Sequence, residues 1–250
     1  MTQPSTVSAA WIRRYHQAPS GAVRLVCFPH AGGSASFYFP VSARLSATAE
    51  VCAVQYPGRQ DRRSEPSIDN IPDLADAITG ALGPADGRPL AFFGHSMGAV
   101  LAYEVALRLE ESGAEPLTRL VVSGRRAPSR HREGSVHRLD DRGVVAELRR
   151  LSGTQSDLLG DPETLEMILP AVRNDYRAVE TYRPGPGRSL RCPVVAYVGD
   201  SDPQVTVDEA KSWADHTTGP FDMRVFPGGH FYLTDRAPEV IQALADDLAG

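Results

Sequence analysis

A chain of 250 residues in which 42% of the side chains are hydrophobic holds enough apolar material for one large domain. Its formal net charge of −5 excludes indiscriminate nucleic-acid binding, which needs a dense basic surface to neutralise phosphates. No apolar run approaches the roughly 18 residues of a membrane helix.

The chain starts MTQPSTVSAAWIRRYHQAPSG, without the basic segment and continuous apolar core of a secretory signal, so a cytoplasmic protein is expected. Residues 23–30 (VRLVCFPH) read as the first strand, and the FPHAGGSAS loop that follows has glycines where a backbone amide could approach a ligand. A second strand is expected at 51–58 (VCAVQYPG), a helix at 71–82, a third strand at 89–96 (PLAFFGHS), a helix at 97–111 and a fourth strand at 117–124 (LTRLVVSG). Further on come strands at 192–200 (CPVVAYVGD) and 222–229 (DMRVFPGG), a helix at 207–217 between them, and a last helix at 238–248 with Val240, Ile241, Leu244 and Leu248 on one face. Strands alternating with helices imply a mostly parallel sheet covered on both faces, a single α/β domain over residues 1–250. Cys27, Cys52 and Cys192 are an odd number at wide spacing, and they read as reduced core residues rather than as a disulfide or zinc site.

One stretch breaks the alternation. Residues from about 128 to 188 are too many for a simple crossover and carry two helical patterns of their own: 141–151, with Val144, Val145, Leu148 and Leu151 apolar, and 162–182. Asp161 is placed to cap the second, with Pro162 at its first position. Pro170 should kink or divide that helix. The insertion reads as a lid over an active site, and RPGPGR at 183–188 as the connector that returns the chain to the sheet.

The run LAFFGHSMGAVLAYEVA asks why a serine sits between small residues at a strand-to-helix junction. GHSMG at 94–98 matches GxSxG in the context that gives the motif meaning. A nucleophile on a sharp turn is held in strained dihedrals, so its neighbours must be small, and Gly94 and Gly98 supply that. The helix starting at Met97 would aim its N-terminus at a developing oxyanion. A serine hydroxyl needs a base to remove its proton, and that base needs an orienting carboxylate, in the chain order Ser, Asp, His.

His230, in PGGHFYL, alone follows the last strand and leads into the final helix. Asp200 and Asp202, in GDSDP, compete for the carboxylate role; Asp202 is preferred because a residue still in register with the strand has less freedom to turn back, and Asp200 could cap the turn. His95 should shape the elbow or pack against the sheet, since neighbours on a sharp turn point apart. His16, His131, His137 and His216 read as surface residues. The amides of Ala31 and Met97 form the expected oxyanion hole.

CFPHAGGSASFYFP, VQYPGRQDR, FFGHSMGA, YVGDSDP and FPGGHFYL together resemble the type II thioesterases, α/β-hydrolases that serve polyketide and nonribosomal peptide synthases. The resemblance runs from about Val23 onward. It implies an α/β-hydrolase fold with a helical lid, and hydrolysis of acyl groups stalled as thioesters on the phosphopantetheine arm of an acyl or peptidyl carrier protein. It also implies Ser96 as nucleophile, His230 as base, Asp202 rather than Asp200 as orienting acid, and the amides of Ala31 and Met97 as oxyanion donors. YPGR at 56–59 looks like a family feature to which no chemical role attaches.

No metal or organic cofactor is implied. Leu148, Leu151, Ile168, Leu169 and Val172 are expected to line the acyl chamber. Arg125, Arg126, Arg130 and Arg132 cluster where the chain leaves the sheet, and could dock an acidic carrier; a monomer is expected. The rival reading is a carboxylesterase or lipase acting on small oxygen esters. An excised terminal thioesterase and a hydrolase fold kept as a binding module stand further off.

Overall fold

The structure, a computed structural model, describes residues 6–84, 86–152, 161–185 and 187–250. A seven-stranded sheet organises it. β1 (Ile12–Arg13), β2 (Val23–Phe28), β3 (Ala49–Val54), β4 (Leu90–His95), β5 (Arg119–Ser123), β6 (Val194–Gly199) and β7 (Phe221–Phe226) lie in the order β1-β3-β2-β4-β5-β6-β7. The six expected strands are present, each shorter than expected; β3 and β7 begin two and one residues earlier and all six end sooner. β1 was not foreseen, because two residues carry no periodicity; it pairs antiparallel with β3 through Ile12↔Val54 and Arg13↔Ala53, whereas every other pair is parallel.

The inner strands are buried on both faces, which is why they read as continuous apolar runs. Val26, Phe28 and Phe92 face one core, while Leu25, Cys27 and Phe93 face the other. The first core is closed by α3 (Ile71–Leu82) and α4 (Met97–Glu111), the second by α2 (Phe39–Leu45) and α9 (Ala237–Ala249). Asn70 caps α3 by accepting the Asp73 N–H at 2.8 Å, and α4 is buried all round from Met97 to Leu107. Cys27, Cys52 and Cys192 are buried and unbridged.

Between β5 and β6 the insertion forms α5 (Asp141–Ser152) and α6 (Pro162–Thr181). Asp161 does cap α6, accepting from the Thr164 N–H at 3.0 Å. α6 runs on through Pro170 as one 20-residue helix, so of the two expected effects, a kink or a division, the division does not occur. A proline removes one helical hydrogen bond, and here its neighbours Leu169, Ala171 and Val172 are buried, so packing retains the helix. Just past its C-terminal end Tyr182 donates to the buried Glu104 of α4 at 2.6 Å, and Arg188 joins the same carboxylate at 3.0 Å. The connector is thus pinned to α4, although its Pro186 lies outside the described residues.

The helix expected at 207–217 is α-helical only over α7 (Val207–Lys211), opened by a capping box of Thr206 and Glu209, and tightens to a 3₁₀ turn over Ser212–His216. Trp213 is buried there with its indole N–H on the Arg125 carbonyl at 2.8 Å. His216 is likewise buried, within hydrogen-bond reach of Tyr103 and Ser129, rather than on the surface as expected.

Backbone proximity makes Gly98 a sharp test of the fold. A Cβ there would lie 2.0 Å from the Phe28 carbonyl oxygen, whereas one on Gly80, exposed in α3, would meet nothing within 4 Å. Gly98→Ala should therefore lose about 2 kcal/mol or more, and Gly80→Ala gain about 0.5–1 kcal/mol, both read from urea unfolding midpoints.

Candidate active site

The sheet order reverses between β2 and β4. The chain leaves β2 toward β3 on one side and returns to place β4 on the other, so the loops after β2 and β4 part at the carboxyl edge, where open α/β sheets form their crevice. The register Phe28↔Gly94 sets these two loops level. Ser96 stands at that edge with φ 56° and ψ −115°, one of two non-glycine residues at positive φ among the described residues. Its N–H donates to the Ser123 carbonyl of β5 at 2.8 Å. Ser96 is also the sole residue between 91 and 107 that is not buried. A Cβ on Gly94 would lie 2.2 Å from the Gly98 carbonyl oxygen, so both motif glycines are required by contact, as the motif implied.

The loop after β6 carries Asp202 and the loop after β7 carries His230. These loops touch at Gly199, where a Cβ would lie 2.4 Å from the Gly228 carbonyl oxygen. His230 Nδ1 and Asp202 Oδ2 are 2.8 Å apart and both side chains are buried. The second oxygen of Asp202 accepts the Gln204 N–H at 2.8 Å. A hydrogen on Nδ1 is directed to the carboxylate, which leaves Nε2 as the free lone pair of the ring. Asp200 instead accepts the Gly228 N–H at 3.0 Å, capping the turn.

In the loop after β2, the Gly33 N–H donates to the His30 carbonyl at 2.9 Å and the Gly32 N–H to Asp175 at 2.8 Å. The Ala31 N–H has no acceptor among the described residues. Met97 opens α4, so its N–H has no intrahelical acceptor either.

Three imidazoles crowd this site. His95 is fully buried, with Nδ1 2.9 Å from Ser123 Oγ and its ring centroid 4.9 Å from that of His230. It packs under the base, as expected of a residue that shapes the elbow. Ser123 Oγ is in turn 2.6 Å from the Tyr232 hydroxyl. His30 lies edge-on to Phe37 and Phe231, with His95 6.0 Å away.

Burial, and then the nearby His230, push His30 down to about 3, and the same two causes lower His95. Both rings stay neutral at pH 7. The sequence reading noticed the HAGG glycines but not His30; only the convergence of three loops reveals its neighbours.

The insertion covers this edge. Val144, Val145, Leu169, Val172 and Tyr176 form one apolar cluster, with Leu148, Leu165 and Ala31 packed against it. Of the expected chamber residues, Leu148, Leu169 and Val172 are brought together there; Leu151 is buried outside that cluster, and Ile168 is half-buried outside it. α5 is tied to the acid loop by Gln204 Nε2 donating to Glu147 at 2.7 Å.

The four arginines do not form one surface patch. Arg126 is buried and donates to the Gln204 carbonyl, and Arg125 is half-buried and pulled down to about 10 by burial and by Arg126. Arg130 and Arg132 are exposed, Arg132 pairing with Glu209 at 2.5 Å. The strand-end backbone hugs the sheet before the loop turns outward, so only the last two arginines are fully exposed.

A family model described as a thioesterase domain matches residues 23–248. A probable cadicidin biosynthesis thioesterase of Streptomyces griseus is 56% identical, over 100% of this chain and 70% of that protein. Thioesterase PikA5 of Streptomyces venezuelae is 51% identical over 96% of this chain and 86% of its own length. The solved structure of the type II thioesterase BorB from the borrelidin biosynthetic cluster superposes with a TM-score of 0.91 at 50% identity, covering 99% of this chain and 100% of that one.

The two neutral histidines give stability a definite pH dependence. Well above pH 6.5 the folded and unfolded chains bind almost no proton at these rings. Below it the unfolded chain takes up protons that the folded one refuses, down to about pH 3 for His30. Each ring should remove up to about 1.4 kcal/mol per pH unit in that window. Urea titrations between pH 4.5 and 7 check this, with His30→Asn expected to flatten the slope.

Proposed function

This chain belongs to the thioesterase family, as a type II thioesterase of the kind found in polyketide and nonribosomal peptide pathways, and we propose that it uses Ser96, His230 and Asp202 to hydrolyse acyl thioesters carried on the phosphopantetheine arm of a carrier protein. The observation that carries this reading is the buried 2.8 Å contact of His230 with Asp202, beside a serine held at positive φ.

In the proposed reaction His230 Nε2 accepts the Ser96 hydroxyl proton as Oγ attacks the thioester carbonyl. The oxyanion is received by the Ala31 and Met97 amides. Collapse of the tetrahedral species expels the thiolate, a good leaving group, which takes the proton from the His230 imidazolium and departs as the thiol of the holo-arm, leaving His230 neutral again. His230 then deprotonates a water that attacks the acyl-serine, and returns the proton as Ser96 leaves. Asp202 holds the Nδ1–H and stabilises the imidazolium. His30 and His95, held neutral beside it, add no competing positive charge. No step calls on a cofactor of the enzyme.

The insertion serves as the lid, and the cluster around Leu148, Leu169 and Val172 receives the acyl chain. We place Arg130 and Arg132, rather than all four arginines, at the carrier-docking face. The large apolar side chains exposed among the described residues are Phe39 on α2, Met167 on α6, Val225 on β7 and Leu139 in the loop before α5, which supports a monomer. Three buried thiols suit a cytoplasmic setting.

Intact-mass spectrometry of a carrier loaded with short and medium acyl groups, incubated beside a matched oxygen ester, tests the activity. Wild type should strip the acyl mass from the carrier faster than it cleaves the ester, and Ser96→Ala should leave it in place. Rapid ester cleavage with an untouched carrier would move the protein to the general esterases. Fluorophosphonate should label wild type and not Ser96→Ala. Arg130→Glu with Arg132→Glu should raise KM for the carrier-borne substrate several-fold at low salt while sparing a small free thioester; equal KM values would remove the docking role.

A further inference from the structure

One buried ion pair has no place in the steps above. Arg59, in the loop after β3, meets Asp175 of α6 in a two-pronged contact, Nη1 to Oδ2 at 2.6 Å and Nη2 to Oδ1 at 2.8 Å. Asp175 is 1% exposed and Arg59 7%. The pair reaches the loop after β2 from both partners. Asp175 Oδ2 accepts the Gly32 N–H at 2.8 Å, and Arg59 Nη1 donates to the Gly33 carbonyl at 3.0 Å. Arg59 lies over the Tyr56 ring, whose hydroxyl donates to the Pro29 carbonyl at 3.0 Å. Three segments far apart in the chain are thus joined within a few ångströms of Ala31.

A second contact brings α6 to the same turn. Gly32 has φ +75°, and a Cβ there would lie 2.6 Å from Val172 Cγ2. One face of α6 therefore presses the turn with an apolar side chain and holds it with a carboxylate one helical turn later. The effect on Ala31 is selective. Gly32 and Gly33 have spent their amide hydrogens on Asp175 and on His30, and Ala31 is left with the free one.

We propose that the Arg59–Asp175 pair is a positioning device that fixes the oxyanion loop, so that α6 belongs to the catalytic body rather than to the moving part of the lid. This rests on the assignment of Ala31 and Ser96 above. Bulk stability does not account for the pair, because apolar residues of similar volume often serve a buried site equally well or better. What charge adds here is direction: four hydrogen bonds that set the path of one backbone turn. Displacement of an oxyanion donor is costly even when small, since misplacement by about 1 Å can lower turnover about 100-fold.

The test uses the full chain with hexanoyl-N-acetylcysteamine as substrate and fluorophosphonate titration to count competent sites. Arg59→Met/Asp175→Leu replaces the pair by apolar side chains and should keep the melting temperature within about 4 °C. Its kcat per titrated site should fall about 10- to 100-fold with KM within about threefold. Affinity for an alkyl trifluoromethyl ketone, whose adduct with Ser96 bears an oxyanion, should fall by the same factor.

Arg59→Lys, which keeps one prong, should recover part of both. A double variant with wild-type kcat and ketone affinity overturns the proposal. So does a loss of melting temperature and titratable sites with kcat per site unchanged, the outcome of a purely structural pair, and Asp175→Asn gives the same reading should the double variant fold poorly. Ser96→Ala is run beside them: if it still turns over substrate, the site assignment falls, and the positioning role with it.

Discussion

A serine at φ 56° and ψ −115° is not at rest. Left-handed backbone at a non-glycine residue costs on the order of 1–3 kcal/mol and survives only where its surroundings over-determine it. Much of this fold can be read as that over-determination. β4 is paired on both sides, by β2 and by β5. α4 is buried around its whole circumference, so neither the strand nor the helix flanking Ser96 can relax. The two glycines let α4 descend onto the β2 end until backbone meets backbone. That close approach brings the start of α4 against the end of β2, at Phe28 and Pro29.

The electrostatics of the site follow from the same crowding. Placing three imidazoles within a few ångströms would be self-defeating if all could charge. Burial and mutual repulsion prevent this for His30 and His95, while His230 alone has a carboxylate against it. A neutral His95 still has a positional task, since its contact with Ser123, whose Oγ in turn meets the Tyr232 hydroxyl, links the ends of β4, β5 and α8 (Tyr232–Asp235) beside the His230 ring.

The insertion is more closely built into the catalytic body than a flap would be. α5 holds the acid loop through Glu147 and Gln204, α6 holds the oxyanion loop through Asp175, and the end of α6 is fastened to α4 through Tyr182 and Glu104. Each tie ends on a segment that carries or supports a reacting group. The apolar cluster between the helices meets Ala31 directly, so the surface that would hold the acyl chain and the loop that would hold the oxyanion are parts of one packed unit.

The sequence by itself determined the alternating α/β architecture, six of the seven strands, the bounds of α3 and α4, and the placing of Ser96, Asp202 and His230 in loops at strand ends, in that chain order. These are legible because they depend on local periodicity and on glycine-flanked turns at strand ends. Even so, the choice between Asp200 and Asp202 needed the family resemblance, since both lie in one turn; the structure separates them, one capping Gly228 and the other facing His230. Asp175 did leave a trace, as a charged residue on the stripe of Val172, Tyr176 and Val179, but its partner lies 116 residues away. Only the tertiary structure decided that pairing, the neutrality of His30 and His95, the burial of Arg126 and His216, and which insertion residues meet. Each depends on distances between segments remote in the chain, and the solvent excluded between them sets both the charge states and the partners.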